Sequence, residues 1–77
     1  MHMYERIRNL REDKDLSQKA MATLLSVAQT TYSDYELGKL NIPITILKKL
    51  AIFHNTSIDY LVELTDNPLP YKRNKSE

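Results

Sequence analysis

The sequence predicts an all-α protein in which five short helices surround one small core. Apolar residues recur at helical spacing in separate segments, and no longer repeat is present. The 77-residue chain contains a single glycine and three prolines, which is typical of a compact helical domain. Its hydrophobic content of 42% is sufficient for one core of this size.

The first helix is predicted over residues 3–14. Met3, Ile7 and Leu10, together with Tyr4, recur on one side and form its inward stripe. The charged residues between them form a solvated surface.

The central prediction is a pair of helices joined by a tight turn, from Ser17 to Gly38. Ser17 is an N-cap, because its hydroxyl can accept from a free N–H group of the first turn. Small Ala22 lies in mid-helix, where a bulkier side chain would push a crossing helix away. Ser26 and Val27 interrupt the apolar pattern and form the turn. The inward stripe of this helix is Ala20, Met21, Leu24 and Leu25.

The second helix of the pair is predicted to begin near Ala28 and to end at Gly38. Gly38 is the only glycine in the chain and stands where a C-terminal cap takes positive φ. Tyr32 and Tyr35 are three residues apart and share an inward face, where their hydroxyl groups need partners. The outer surface carries the polar residues Gln29, Thr30, Thr31, Ser33 and Asp34.

Two further helices are predicted after the loop at residues 39–42. Pro43 suits the first turn of the fourth helix, because its missing N–H is not needed there. Ser57 caps the last helix. The apolar residues of the fourth helix are Ile46, Leu47, Leu50, Ala51 and Phe53 or His54. Those of the last helix are Ile58, Leu61, Val62 and Leu64.

The paired helices, with an amide-rich and hydroxyl-rich face on the second, form a helix-turn-helix, which places its second helix in the DNA major groove. The segment SQKAMATLLSVAQTTYSDYELGK resembles the helix-turn-helix of the Cro and phage-repressor family, also called the XRE family. The resemblance covers roughly residues 3–67. The positions in register with the motif are Gln18, Ala22, Val27, Glu36 and Gly38. Ser26 departs from it, because the family usually has glycine there, and a left-handed serine costs about 1 kcal/mol.

The resemblance implies a helix-turn-helix DNA-binding domain at residues 1–67, and we expect residues 68–77 to be a disordered basic tail. It places Gln29 and Thr30 at the first two base-reading positions. The Gln29 amide can pair with adenine N6 and N7. Ser33 and Asp34 lie one turn further along. Asp34 either accepts from a cytosine amino group or faces water and repels phosphate.

Other residues are expected to position the DNA rather than read it. The family uses the glutamine matching Gln18 to hold a phosphate oxygen, with help from the helix N-terminus. The further phosphate candidates are Lys19, Lys39 and Asn41, each of which is alternatively explained by solubility, and Thr31, whose hydroxyl can donate to a backbone oxygen of DNA. The resemblance also implies a structural pair between Arg11 and Glu36, with an exposed Arg11 as the alternative.

One domain of this size covers half of a recognition site, so a homodimer on a pseudo-palindromic operator is expected, acting as a repressor. The candidate dimer surface is Tyr60, Val62, Leu64 and Leu69; alternatively, these residues all pack internally. The alternative function is an antitoxin-like or regulatory module that uses the same fold to bind a protein partner. The net charge of only +1 favours this alternative.

An enzyme is not expected. His2 and His54 have no neighbours at metal-ligand or catalytic-triad spacing, and one glycine cannot form a glycine-rich phosphate loop. The chain has no cysteine, so we expect no thiolate metal site, and no cofactor or small-molecule ligand is evident. Without a signal peptide or an apolar run of 18 residues, a cytoplasmic protein of prokaryotic or phage origin is predicted, with no membrane association.

Overall fold

A computed structural model describes residues 4–72 of the chain, and this part is all-helical, as predicted. Five helices follow one another without an intervening strand within these residues. They are α1 (Glu5–Asp13), α2 (Gln18–Leu25), α3 (Gln29–Leu37), α4 (Ile44–Phe53) and α5 (Ile58–Leu61).

The turn between α2 and α3 is built from local backbone chemistry that the sequence encodes. The Ala20 N–H donates to Ser17 Oγ at 3.0 Å, so Ser17 caps α2 as predicted. Ser26 ends α2 with φ 59° and ψ 41°, in the left-handed region that the family fills with glycine. The Val27 N–H then donates to the Ala22 carbonyl at 2.9 Å and closes the turn. A tight helix-turn-helix therefore forms without glycine at its turn.

The start and end of α3 are fixed by different means. Ala28 precedes the helix and offers no side-chain cap, whereas Gly38 ends it with φ 74°, as predicted. The Tyr4 N–H donates to the Glu36 carbonyl at 2.9 Å, which ties the end of α3 to the start of α1. Helix α3 is thus anchored at its last turn, and its first turn is exposed.

The core lies between the helices and includes both tyrosines of α3. Tyr32 is fully buried and Tyr35 nearly so, as expected from their spacing. The Tyr32 hydroxyl lies beside the Glu36 carboxylate, but it makes no hydrogen bond of standard geometry among the described residues. The expectation that both hydroxyl groups find partners is therefore not met at Tyr32. The buried apolar residues are Ile7, Met21, Ala22, Leu25, Tyr32, Tyr35, Ile46, Leu50, Ala51 and Leu61.

One predicted core position differs in the structure, and one alternative is resolved. Leu24 was expected in the inward stripe of α2 but is 54% exposed, because the last turns of α2 and α4 leave a groove between them. At the end of α4, His54 is buried and Phe53 is 39% exposed, which resolves the alternative left open by the sequence. Met3, predicted on the inward face of the first helix, lies outside the described residues.

The start of α4 and the end of α5 differ from the prediction. Pro43 is the residue before α4 rather than a member of its first turn. Ser57 caps α5 as predicted, accepting from the Tyr60 N–H at 3.0 Å. However, α5 has only four residues, because the chain leaves the helix after Leu61 and Glu63 adopts φ 65°. Leu64 consequently lies beyond the helix and is 76% exposed.

The segment after α5 is held against α1 by the side chain of Arg6. Its guanidinium donates to the Tyr60 carbonyl at 3.1 Å and to the Thr65 carbonyl at 2.7 Å. It also lies 4.2 Å from the centre of the Tyr60 ring, a cation–π contact. The chain then continues along α5, where the Tyr71 hydroxyl donates to Asp59 Oδ2 at 2.8 Å. The boundary at residue 68 and the disorder of the tail stay predictions, and residues 73–77 lie outside the described part.

Candidate nucleic-acid interface

The first turn of α3 presents polar groups to the exterior. Gln29 and Thr30 are the first two residues of the helix, and both are exposed. Ala28 has no side-chain acceptor, so it does not cap the free backbone N–H groups of this first turn. Amide, hydroxyl and N–H donors are therefore concentrated at one exposed helix end.

The remaining polar residues of α3 are less exposed than expected. Thr31, Ser33 and Asp34 were placed on the outer surface, but each is half-buried. On the same helix Tyr32, Tyr35 and Glu36 are all buried, so α3 packs closely against the rest of the protein. The fully exposed polar face is consequently narrow and is centred on the first turn.

The last turn of α3 is held by a buried ion pair with α1. The Arg11 Nε donates to Glu36 Oε2 at 2.8 Å, and a second guanidinium nitrogen donates to Oε1 at 3.3 Å. The same guanidinium donates to the Leu16 carbonyl at 2.7 Å, in the connection that leads into α2. One arginine thus joins α1, the connection before α2 and the end of α3.

The electrostatics of this pair follow from its burial and hydrogen bonds. Burial is the largest single influence on Glu36 and would raise its pKa. Hydrogen bonding by Arg11 and Gln18, the proximity of the Tyr32 hydroxyl and the Arg11 charge together outweigh burial and lower the pKa of the carboxyl group. The hydrogen bond to Glu36 raises the pKa of Arg11 in turn. Both groups are therefore ionised at neutral pH. Burial, reinforced by Glu36, raises the pKa of the Tyr32 hydroxyl, which stays neutral.

Gln18 has a hydrogen-bond partner within the protein that the sequence did not indicate. Its Nε2 donates to Glu36 Oε1 at 3.1 Å, across 18 residues of chain. This contact fixes the amide plane of Gln18 at the first turn of α2. The second N–H of the Gln18 Nε2 and the N-terminal N–H groups of α2 remain the donors with which this residue could meet a phosphate oxygen. No local sequence pattern indicates such a contact, because it depends on how α2 crosses α3.

The other phosphate candidates lie on both sides of α3. Lys19 lies in the first turn of α2, and Lys39 and Asn41 lie in the loop after α3; all three are exposed. The Lys39 N–H donates to the Asp34 carbonyl at 2.9 Å, so the loop leaves the helix in a defined direction. The positive charges thus come from segments that flank the recognition helix.

The dimer candidates occupy a different face. Leu64 and Leu69 are 76% and 68% exposed, so these two side chains do not pack internally. Tyr60 and Val62 are half-buried, and Tyr60 is partly covered by Arg6. The surface therefore contains two exposed leucines beside two partly covered residues.

Residues 4–72 contain neither a metal-ligand cluster nor a membrane-spanning helix. No group of three or more His, Asp or Glu side chains there could hold a metal ion. His54 is buried, and His2 lies outside the described residues. None of the described helices is long and apolar enough to cross a bilayer.

An all-α fold that presents a polar helix end from a helix-turn-helix defines a DNA-binding domain. Residues 7–61 match the family model described as Helix-turn-helix, which covers more than half of the chain. The chain belongs to this family of helix-turn-helix transcriptional regulators, the Cro and phage-repressor type that the sequence resembles.

Three proteins similar to this chain are described as transcriptional regulators or repressors. The uncharacterized HTH-type transcriptional regulator YobD of Bacillus subtilis (strain 168) is 32% identical over 72 residues, which are 94% of this chain and 64% of YobD. The SPbeta prophage-derived uncharacterized HTH-type transcriptional regulator YonR of the same organism is 34% identical over 79% of this chain and 56% of YonR. The cryptic phage CTXphi transcriptional repressor RstR of Vibrio cholerae is 33% identical over 87% of this chain and 60% of RstR. The chain spans less than two thirds of each of these relatives.

Proposed function

We propose that the chain is a transcriptional repressor that binds a pseudo-palindromic operator as a homodimer and reads bases with the first turn of α3. The observation that carries this proposal is the exposed pair Gln29 and Thr30 at the first turn of a helix whose last turn is anchored by the Arg11–Glu36 pair. A reading helix needs such an arrangement, because base contacts require an exposed tip held at a fixed angle.

The residues of α3 differ in the base contacts that their side chains can make. Gln29 pairs its amide with adenine N6 and N7, and Thr30 offers its hydroxyl or its methyl group to the neighbouring base pair. Ser33 and Asp34 are half-buried one turn further along, so they contact only bases that approach the helix closely. Base recognition therefore depends chiefly on Gln29.

Phosphate contacts supply the rest of the binding energy and set the register on DNA. Gln18 and Lys19 lie at the first turn of α2, and Lys39 and Asn41 follow α3. Thr31 adds a hydroxyl beside the reading residues. With a net charge of only +1, these contacts attract DNA through their placement on one face and not through the total charge.

The dimer places two reading helices on successive half-sites about 10 base pairs apart. The exposed Leu64 and Leu69, with Tyr60 and Val62, support a self-complementary contact on the α5 side. Repression follows from occupancy of a promoter by the bound dimer, in keeping with the description of the relative RstR as a transcriptional repressor.

Selection of bound duplexes from a random DNA pool tests this function. We expect a two-fold symmetric motif whose half-sites are one helical turn apart. Enrichment of an asymmetric single half-site would contradict the dimer, and no enrichment at moderate salt would contradict sequence reading. A promoter-fusion assay then tests the sign of regulation, and activation on expression of the protein would refute the repressor role.

A further inference from the structure

A second surface with binding character lies between the last turns of α2 and α4. It is a groove of about 280 Å³. Its lining residues are Met21, Leu24, Leu25, Lys49, Ile52 and Phe53. Five of these six are apolar, and none of them belongs to the proposed DNA-contacting set.

The groove leaves apolar area in water. Met21 and Leu25 are buried and form its floor, whereas Leu24 and Ile52 on its two sides are 54% and 51% exposed. Phe53 is 39% exposed at one end. Scattered exposed apolar residues are normal, but three large ones around one depression are the usual mark of a contact surface.

The groove lies at the ends of α2 and α4 opposite to those assigned to DNA. In α2 the phosphate candidate Gln18 is the first residue, and Leu25, at the groove, is the last. At a rise of about 1.5 Å per residue, these ends are about 10 Å apart. In α4 the loop with Asn41 precedes the first turn, whereas Ile52 and Phe53 form the last. A ligand in the groove would therefore leave the reading face open.

Two lysines lie at the groove. Lys49 lines it, and the Lys14 ammonium lies 5.9 Å from the centre of the Phe53 ring. Within residues 4–72, neither lysine is seen in an ion pair with a carboxylate. The surface thus combines an apolar floor with two lysine side chains at its edge.

We propose that this groove binds an amphipathic helix of a partner protein, with apolar anchors on one face and acidic residues flanking them. Such a helix places side chains at i, i+3 or i+4 and i+7 into an apolar groove, and its carboxylates meet Lys14 and Lys49. The partner is thus defined by its pattern of apolar and acidic residues, and it engages the regulator on a face separate from DNA.

Other occupants fit less well. The groove is open and slightly smaller than the pockets of roughly 300–1,000 Å³ that bury drug-sized molecules. A second copy meeting groove to groove would bring two Lys49 side chains toward each other across the symmetry axis, which is unfavourable. The apolar floor and positive edge instead match an acidic helix.

The test uses a displayed library of randomised helical peptides of about 15 residues, selected against the intact protein. We expect enrichment of sequences with apolar residues at helical spacing and flanking Asp or Glu. The best peptide is then measured by fluorescence anisotropy against Ile52→Lys and Lys49→Glu, which change exposed side chains. Each variant should weaken binding about tenfold or more. Lys48→Glu changes an exposed residue of α4 that does not line the groove; it is the matched control and should change binding less than about twofold.

Three outcomes would overturn the proposal. These are no enriched peptide, enriched peptides without acidic residues, or binding that is insensitive to both groove variants. Sedimentation of Ile52→Lys addresses self-association, and a loss of dimer there would also refute the proposal, because the groove would then hold a second copy. DNA binding by Ile52→Lys is measured separately and should be unchanged, so failure of the groove proposal and failure of the DNA-binding proposal are distinguishable.

Discussion

The replacement Glu36→Ala tests whether the buried pair fixes the recognition helix. It removes the acceptor of two hydrogen bonds from Arg11, at 2.8 and 3.3 Å, and of one from Gln18 at 3.1 Å. The side chains of Arg11 and Glu36 are only 10% and 3% exposed, so the guanidinium would lose its counter-charge in a poorly hydrated site. Loss of one partner of a buried pair costs roughly 3–5 kcal/mol. Because Arg11 keeps its hydrogen bond to the Leu16 carbonyl, we expect the lower end, about 3 kcal/mol.

The assay is urea unfolding followed by helical circular dichroism at neutral pH, in a double-mutant cycle with Arg11→Ala. We expect the double variant to lose less than the sum of the single ones, with a coupling free energy of about 2 kcal/mol. Since a domain of this size has a small total stability, Glu36→Gln, which keeps the side-chain shape, serves as a milder variant. The control is Arg8→Ala, which removes an exposed Arg8–Glu12 pair and should change stability by less than about 0.5 kcal/mol.

A coupling free energy below about 0.5 kcal/mol, the size expected of an exposed pair, would refute this reasoning. It would mean that the end of α3 is held by apolar packing of Tyr32 and Tyr35. The ion pair would then not fix the orientation of α3 relative to α1.

Three other predictions concern stability. Burial, aided by the Lys14 charge, lowers the pKa of His54 from 6.5 to about 4. At a pH between these two pKa values, His54 binds a proton in the unfolded chain and stays neutral in the folded chain. The free energy of unfolding should therefore fall by up to about 2 kcal/mol as the pH is lowered from about 7 to 5. In His54→Leu, urea titrations at several pH values should show a free energy of unfolding that depends less on pH. An equal pH dependence in both proteins would contradict the shifted pKa. Ser26→Gly removes the strain of a left-handed serine and should raise the urea midpoint, corresponding to about 0.5–1 kcal/mol; a lower midpoint would show that the turn is unstrained. Gly38→Val forces a branched residue to φ 74° and should cost about 1–3 kcal/mol in the same titration, whereas Gly38→Asn should be tolerated better; equal effects would contradict the conformational explanation.

Features determined by neighbouring residues were predictable from the sequence. The caps at Ser17 and Ser57 need only a hydroxyl before an apolar periodic segment, and both are present. Gly38 and Ser26 occupy positions where the chain must take positive φ, and the family register located both. The inward tyrosines followed from their spacing. These features depend on interactions within a few residues along the chain.

Features determined by packing between distant segments were not predictable. Leu24 fits the apolar stripe of α2, but burial needs an opposing helix, and the end of α4 stays apart from it. Leu64 continues an apolar pattern that stops because Glu63 turns the chain out of α5. The Gln18–Glu36 hydrogen bond and the Arg6 contacts join residues 18 and more than 50 positions apart. Of the candidate interface, the exposed first turn of α3 agrees with the expectation, and the roles of its residues on DNA stay predictions.

The most direct test of sequence reading by α3 is a single-base-pair substitution panel of the selected duplex, measured with Gln29→Ala and Gln18→Ala. We expect Gln29→Ala to lose about 1–3 kcal/mol of discrimination at one position in each half-site and to keep the others. Gln18→Ala should weaken binding to every duplex alike. If both variants lose affinity uniformly across the panel, Gln29 does not read a base, and the first turn of α3 serves another purpose.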